Sequence, residues 1–366
     1  WKELTQMNNR SHTPFIRTVK ISERSSKDTI KIRIAAFVLA LTAGGLFILL
    51  LGYNPIKLYG TIISGAFRSK MAFQATVKFM IPLLMSSLGV SMAFKMRFWN
   101  IGAEGQIIAG AVCASYFALF HDNWPHFLLL IVMFAAGAIG GGLWGLIPAY
   151  FKSKYDTNET LFTLMLNYIA LHVITYLRDG PWKDPGSSGF PKIARFTSNA
   201  QIDKVLGVHF GWIIALILVV IVFIYFKYTK HGYEISVVGE SKSTARYAGM
   251  DVKRVILRTM ILSGGICGIT GMIQAAGSDM TLASSVAGGV GFTAIIVSWL
   301  AYLNPFGILL VSFLFSILDK GSSVMQSTYG LSTYFASVLQ GIILFFILGC
   351  EFFIRYKFVL TKKGGK

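Results

Sequence analysis

The sequence is poor in charged residues and in cysteine for a chain of 366 residues. Only 14% of its residues are charged, against about 25% in soluble domains, which is too few to cover a water-soluble core. Its three cysteines are odd in number and widely spaced, which argues against a disulfide framework or a zinc site. The polar, basic start of the chain does not resemble a cleaved signal peptide. The whole chain is 54% hydrophobic, which indicates an integral membrane protein.

Apolar segments close to the length of a spanning helix, about 20 residues, recur along the chain. Three of them are shorter or interrupted, and the two that flank Asn304-Pro305 either cross the bilayer or fold back as re-entrant half-helices. We therefore predict an all-α integral membrane protein with about ten transmembrane segments. The predicted segments are 34–53, 74–94, 107–120, 126–151, 160–177, 205–226, 256–277, 286–302, 305–318 and 330–352.

The basic residues sort by side of the membrane. With the N-terminus inside, 24 Lys and Arg residues fall inside and 10 fall outside, so the positive-inside rule favours an N-in, C-in topology. This sorting accounts for the net charge of +18 without a nucleic-acid partner, while contact with anionic lipid follows from it.

The same topology divides the chain into parts. A basic cytoplasmic segment (1–33) precedes a transmembrane domain (34–352), and a basic cytoplasmic tail (353–366) follows. An outer loop (178–204) and an inner loop (227–255) are the longest connections. Neither can hide a soluble domain of about 50 residues, so any energy-converting domain must lie on another chain.

Sequence signatures of catalysis are missing. The stretch 239–244 resembles the end of a phosphate-binding loop but has no glycine before Lys242, and neither HExxH nor GxSxG occurs. We predict that the chain is not an enzyme and holds no cofactor or metal. The predicted segments are also almost free of charge, which disfavours an ion-coupled secondary transporter without excluding it.

Glycines recur at helical spacing inside the predicted segments. Their spacing predicts faces where helices approach closely in lipid. The three faces are Gly137, Gly141 and Gly145; Gly264, Gly268 and Gly271; and Gly288, Gly289 and Gly291.

A polar break at 100–106 interrupts the apolar sequence with Asn100, Glu104, Gln106 and two glycines. Backbone at membrane depth must be buried in protein or line a wet cavity, so this break is a candidate site. The alternative is a short interfacial turn that places Glu104 near a helix N-terminus.

This break carries a family resemblance. The stretch 98–106 resembles the FNIGAEGQ signature of membrane permeases of bacterial ABC importers for simple sugars, nucleosides and branched-chain amino acids, although Trp99 departs from the usual order. The stretches 158–168 and 239–250 resemble further family motifs, and GPWKDP at 180–185 is similar to a loop of nucleoside-type members.

The resemblance implies an ABC importer permease fold and a set of partners. These are cytoplasmic ABC ATPase subunits that bind ATP and Mg, a second and different permease subunit, and an extracytoplasmic substrate-binding lipoprotein. The inner loop would hold the coupling helix that docks on the ATPase, and a solvated basic loop is the alternative. The coupling residues carried over are Glu240, Ala245, Arg246, Tyr247, Ala248 and Gly249.

The leading hypothesis is therefore the permease subunit of an ATP-driven importer in the bacterial cytoplasmic membrane, moving nucleosides. Permeases for ribose or another simple sugar remain the alternative. The expected substrate-path residues are Asn100, Glu104, Gln106, Asn167 and Tyr168, with Gln274 and Trp299 as weaker choices. Interhelical hydrogen bonds and interface anchoring are the competing roles for these side chains.

Overall fold

A computed structural model of the chain describes residues 16–20, 26–187, 189–332 and 334–360. Helices dominate these residues, and two pairs of short strands join them. The helices are α1 (Ser26–Leu50), α2 (Pro55–Phe67), α3 (Lys70–Lys95), α4 (Ala103–Phe120), α5 (His126–Tyr155), α6 (Glu159–Asp179), α7 (Gly211–Tyr228), α8 (Lys230–Glu240), α9 (Lys242–Tyr247), α10 (Val252–Ile273), α11 (Val290–Leu300), α12 (Pro305–Tyr329) and α13 (Phe335–Arg355). The strands are β1 (Ile16–Lys20), β2 (Lys204–Val205), β3 (Val208–His209) and β4 (Tyr356–Leu360).

Polar side chains start several of the long helices. Ser69 accepts a hydrogen bond from Ala72 N at the start of α3, and Asn158 accepts one from Leu161 N at the start of α6. Asp251 caps α10 in the same way. Asn304, which precedes Pro305, accepts from Phe306 N and Gly307 N, and the fixed backbone of Pro305 suits the first helical turn of α12. These caps satisfy amides that a helix leaves unpaired at its N-terminus.

Seven described helices are long and apolar enough to cross a membrane, or eight if the bent pair Ile34–Leu50 and Pro55–Phe67 is counted as one span. The sequence predicted ten segments. The difference lies at 286–302, where the apolar helix Val290–Leu300 is too short, and at 330–352, where the apolar stretch found among the described residues is the part Ser337–Phe346 of α13. The predicted segment 205–226 also starts too early, since β2 and β3 occupy its first residues and α7 begins at Gly211.

The chain forms two compact units. The smaller contains residues 1–58 and 337–366, and in its described part β1 pairs antiparallel with β4, Ile16 facing Leu360. The predicted terminal segments 1–33 and 353–366 lie partly outside the described residues. The larger unit, 59–336, contains the helices from α3 to α12.

Within the larger unit, α3 runs through the middle and packs on α7, α10, α11 and α12. Every residue from Leu83 to Phe94 is buried, as expected of a helix enclosed by other helices.

Helices α4, α5 and α10 pack closely through glycine. An added Cβ at Gly141 would collide with the backbone of Gly264, and one at Gly268 would collide with the backbone of Gly137. The close approach predicted from the first two glycine faces is therefore confirmed. The third face differs, because the residues before Val290 are not helical.

Candidate functional site

The polar break lies between α3 and α4 and forms a buried hydrogen-bonded cluster. Asn100 and Gln106 exchange two side-chain hydrogen bonds of 3.2 Å, and Asn100 Oδ1 also accepts from Gly102 N at 3.0 Å. From α6, Asn167 accepts from Gly105 N at 2.8 Å and donates to Ile101 O at 2.9 Å. The break is thus held in protein, which is how backbone groups at membrane depth are satisfied.

Glu104, in the first turn of α4, reaches across to the start of α11. Its two carboxylate oxygens accept from Gly289 N and Gly291 N, each at 2.8 Å. The side chain is nearly inaccessible, and the amides it binds are among those that α11 cannot pair internally. A negative charge here also complements the helix dipole. Glu104 therefore fixes the point where α11 begins.

The chain before α11, residues 280–289, has no regular helix or strand. At its beginning Phe196 N donates to Met280 O, and Arg178, at the end of α6, donates to Ser284. At its end Gly289 N donates to Glu104, and the next residue, Gly105, donates to Asn167 in the first half of α6.

Asn167 and Arg178 are about 16 Å apart along the α6 axis, at roughly 1.5 Å per residue. The 280–289 segment therefore runs as irregular backbone from a contact with Arg178, at the end of α6, to Glu104, whose neighbour Gly105 bonds to Asn167. Such backbone occurs at membrane depth only where it is enclosed by protein or lines a wet cavity.

Part of this segment and one face of α11 are exposed. Ser285 and Gly288 are exposed in the segment, and Phe292 and Trp299 are 43% and 36% exposed on the helix. The two aromatic residues are seven positions apart and so share a helix face. Trp299 stacks on Trp99 with ring centroids 5.7 Å apart. Hydroxyl, glycine and aromatic groups thus follow one another along a single stretch of chain.

The predicted site residues fall into two sets. Asn100, Glu104, Gln106 and Asn167 come together in the buried cluster and bond to protein groups. The other three do not join it. Tyr168 is 55% exposed on α6, Trp299 belongs to the exposed face of α11, and Gln274 donates to Asp279 Oδ1 at 3.2 Å.

Several site residues were missed by the sequence reasoning. Thr163 donates to the backbone of α6 and accepts from Ile101 N, and nothing in its apolar surroundings marks it. The 280–289 segment did carry a sequence signal, the glycine pair Gly288-Gly289, and both glycines adopt positive φ in the structure. A glycine pair in an apolar run indicates a turn as well as a packing face.

The predicted coupling residues lie on α8, α9 and the turn that follows. Ala245 is fully buried beneath α9, in a cluster that includes Met96 and Phe98 next to the polar break. The other five are exposed, and Tyr247 is 97% exposed. Gly249 ends α9 at φ +77°, as in a helix C-cap that glycine favours. This part of the chain thus exposes a polar and aromatic surface, and buried Ala245 packs it against the rest of the protein.

An ion pair ties this region to α10. Arg258 donates to Glu234 at 2.8 Å. The hydrogen bond from Arg258 holds the pKa of Glu234 below its ordinary value, so Glu234 stays charged at neutral pH.

Comparison with known proteins gives the family. A family described as "branched-chain amino acid transport system / permease component" matches residues 71–348. The glucose ABC transporter permease protein TsgB13 of Haloferax volcanii is 30% identical over 87% of this chain and 87% of its own length. The guanosine permease NupP of Bacillus subtilis is 29% identical over 90% and 96%, and the nucleoside permease NupB of Lactococcus lactis is 30% identical over 87% and 90%.

Membership settles the class of protein. A permease of this kind is a multi-pass, non-enzymatic transport subunit that works with ATPase subunits and a substrate-binding protein, and no cofactor is expected in it. It also decides against the ion-coupled carrier that the sequence left open. The chain belongs to the branched-chain amino acid transport system permease family and is the permease subunit of an ABC importer.

Proposed function

We propose that this permease moves nucleosides, and that residues 280–299 form its half of the translocation path. A second permease subunit supplies the other half. The observation that carries the proposal is the irregular 280–289 segment, which connects Arg178 at the end of α6 with Glu104 at the start of α4 and exposes Ser285 and Gly288. Irregular backbone of this kind is typical of transport pathways, because a water-filled cavity can satisfy its polar groups.

The chemistry of the exposed residues suits a nucleoside. Phe292, Trp299 and Trp99 offer aromatic faces on which a base can stack, an interaction worth about 1–3 kcal/mol per base elsewhere. Ser284 and Ser285 offer hydroxyls to the ribose. Relatives named as guanosine and nucleoside permeases support this substrate class.

In this proposal the four buried site residues act from behind the path. Asn100, Gln106 and Asn167 hold the polar break on α6, and Glu104 holds the start of α11 on the break. They position the path without touching substrate. Tyr168 and Gln274 stay candidates for contact with it.

The coupling helices α8 and α9 dock on the ATPase in the same proposal. The exposed residues Arg246 and Tyr247 provide the contact, and buried Ala245 anchors α9 to the cluster that contains Phe98. The basic residues on this side favour a cytoplasmic location. The termini are then cytoplasmic, with ten segments crossing or entering the membrane and 178–204 outside.

Uptake of labelled uridine tests the function. Cells with and without this gene, and lacking other nucleoside carriers, are challenged with excess adenosine, ribose or leucine. Loss of uptake on deletion, with competition by adenosine alone, is the expected result. Unchanged uridine uptake refutes the nucleoside assignment.

A simple sugar is the second candidate, because a relative named as a glucose permease is 30% identical. Labelled ribose and glucose are therefore measured in the same cells. Gene-dependent uptake of either sugar, with uridine uptake unaffected by deletion, favours that candidate over the nucleoside.

A further inference from the structure

A polar cavity of about 740 Å³ opens where α6, the 178–204 loop and the end of α10 meet. Its size is within the range of ligand pockets, roughly 300–1,000 Å³. Charged and hydroxyl side chains dominate its lining, including Arg178, Asp184, Lys192, Arg195, Asp279 and Ser284. Ser284 also belongs to the path proposed above, and the other five residues do not.

The floor of this polar cavity is built from unusual backbone. After Ile273 the helix widens into a π-helical turn, Gln274–Asp279, and Met280 follows at φ +54°. Both features are uncommon, and each tends to occur where a protein positions functional groups. Here they bring Asp279 to the cavity wall.

Asp279 is the half-buried acid of this site. Its Oδ1 accepts from Gln274 Nε2 at 3.2 Å, and Oδ2 accepts no hydrogen bond from the described residues. A partly desolvated carboxylate oxygen can accept a hydrogen bond from solvent or from a ligand. The cavity therefore presents a strong acceptor with unused capacity.

Donors line the same cavity. Arg178 is engaged by Asp179 and Ser284, whereas Lys192 and Arg195 are exposed at the rim. Arg195 makes one contact to the sulfur of Met280, which is a weak acceptor. Among the described residues, Lys192 and Arg195 thus keep hydrogen-bonding capacity for a ligand.

The mixed charge selects the class of ligand. An anion would meet Asp184 and Asp279, while a cation would meet Lys192 and Arg195. A neutral ring with neighbouring hydroxyls satisfies both sets, because each hydroxyl can donate to the carboxylate and accept from a cation. We infer that the polar cavity binds the sugar hydroxyls of the transported molecule, with Asp279 as the residue that recognises the ribose diol. The inference rests on the proposed function for the identity of that molecule.

Binding of methyl β-D-ribofuranoside tests the inference directly. The full chain is placed in nanodiscs, and transfer of saturation from protein to ligand is measured by NMR, which detects millimolar affinities. Asp279→Asn is expected to weaken binding at least about tenfold, since it removes a hydrogen bond to a charged group. Asp203→Asn is the matched control, because Asp203 pairs with His126 and does not line the cavity.

A second ligand and a second variant keep the result clear of folding effects. The native chain should bind the 2,3-dideoxy riboside about tenfold more weakly than the parent riboside. The Asp279→Asn variant should bind the two ribosides equally well. Arg195→Gln, at the exposed rim, should weaken riboside binding several-fold. Equal affinity in all variants overturns the inference, as does displacement of the riboside by inorganic phosphate.

This assay is independent of the proposed function. Binding by the chain alone requires no ATPase, binding protein or transport. If the riboside binds in a manner that depends on Asp279 but the uptake experiment shows no gene-dependent uridine uptake, only the nucleoside assignment is refuted. Normal uridine uptake without such binding would refute the role of Asp279 only.

Discussion

Replacement of Glu104 by glutamine should release the start of α11. A glutamine has one amide oxygen and one NH₂ group where the carboxylate has two acceptors. Whichever way the amide turns, either Gly289 N or Gly291 N then faces a donor.

The structure sets the magnitude of this effect. A buried N–H left without a partner costs about 1–3 kcal/mol. The remaining hydrogen bond loses its charge assistance, which costs about 1 kcal/mol more. Local opening of residues 288–292 should therefore become easier by about 2–4 kcal/mol.

Hydrogen exchange followed by mass spectrometry measures this opening. Peptides that cover 284–295 should exchange about 30-fold to several-hundred-fold faster in Glu104→Gln, since about 1.4 kcal/mol corresponds to a factor of ten. Glu240→Gln, an exposed acid, should leave the same peptides unchanged. Uridine uptake should fall with the loss of protection. Unaltered exchange in Glu104→Gln would refute the role assigned to this carboxylate.

Three further predictions concern other parts of the chain. Gly291→Ala should destabilise the protein and reduce uptake, because the added Cβ collides with the backbone of Glu104. Gly60→Ala has open space around the added Cβ and should do neither. The melting temperatures of the two variants, followed by size-exclusion chromatography after heating, compare them. Tyr247→Ala should reduce co-purification of the ATPase several-fold, and Tyr176→Ala, on α6, should not. Burial and nearby cations lower the pKa of His209 to about 4, so below pH 6.5 the unfolded chain binds a proton that the folded chain does not. Stability should fall by about 2 kcal/mol between pH 6.5 and pH 5, and a thermal shift that is equally large in His209→Gln would contradict this.

The sequence predicted most helices, because apolar length and the polar residues between segments are local properties. Asn158, Asp251 and Asn304 lie in the polar stretches before three predicted segments, and each caps a helix in the structure. The start of α7 was misplaced, since the apolar residues before Gly211 form short strands with no distinctive hydropathy.

The buried cluster was predictable only as a list of polar residues. Asn100, Glu104 and Asn167 stand out because polar side chains are rare in the segments. Their partners depend on contacts between residues distant in sequence, such as Glu104 with Gly291. Hydropathy carries no information about such pairs, so the sequence could not separate a role in positioning from contact with substrate.

The irregular segment was hidden for a related reason. Residues 280–289 are apolar enough to extend the predicted segment 286–302, and only Gly288 and Gly289 indicate a turn. The bond from Glu104 decides where α11 begins. The start of α11 thus depends on a contact between residues distant in sequence, which local helix propensity cannot predict.

Accessibility of a cysteine at Ser285 tests the proposed path most directly. In the assembled transporter, with Cys113, Cys267 and Cys350 replaced by serine, Ser285→Cys should react with a membrane-impermeant thiol reagent. Uridine with its binding protein should slow the reaction. Ile217→Cys, on an exposed apolar face of α7, should not react. A Ser285→Cys chain that transports uridine yet reacts no faster than Ile217→Cys, in the presence or absence of ATP, would contradict a path along residues 280–299.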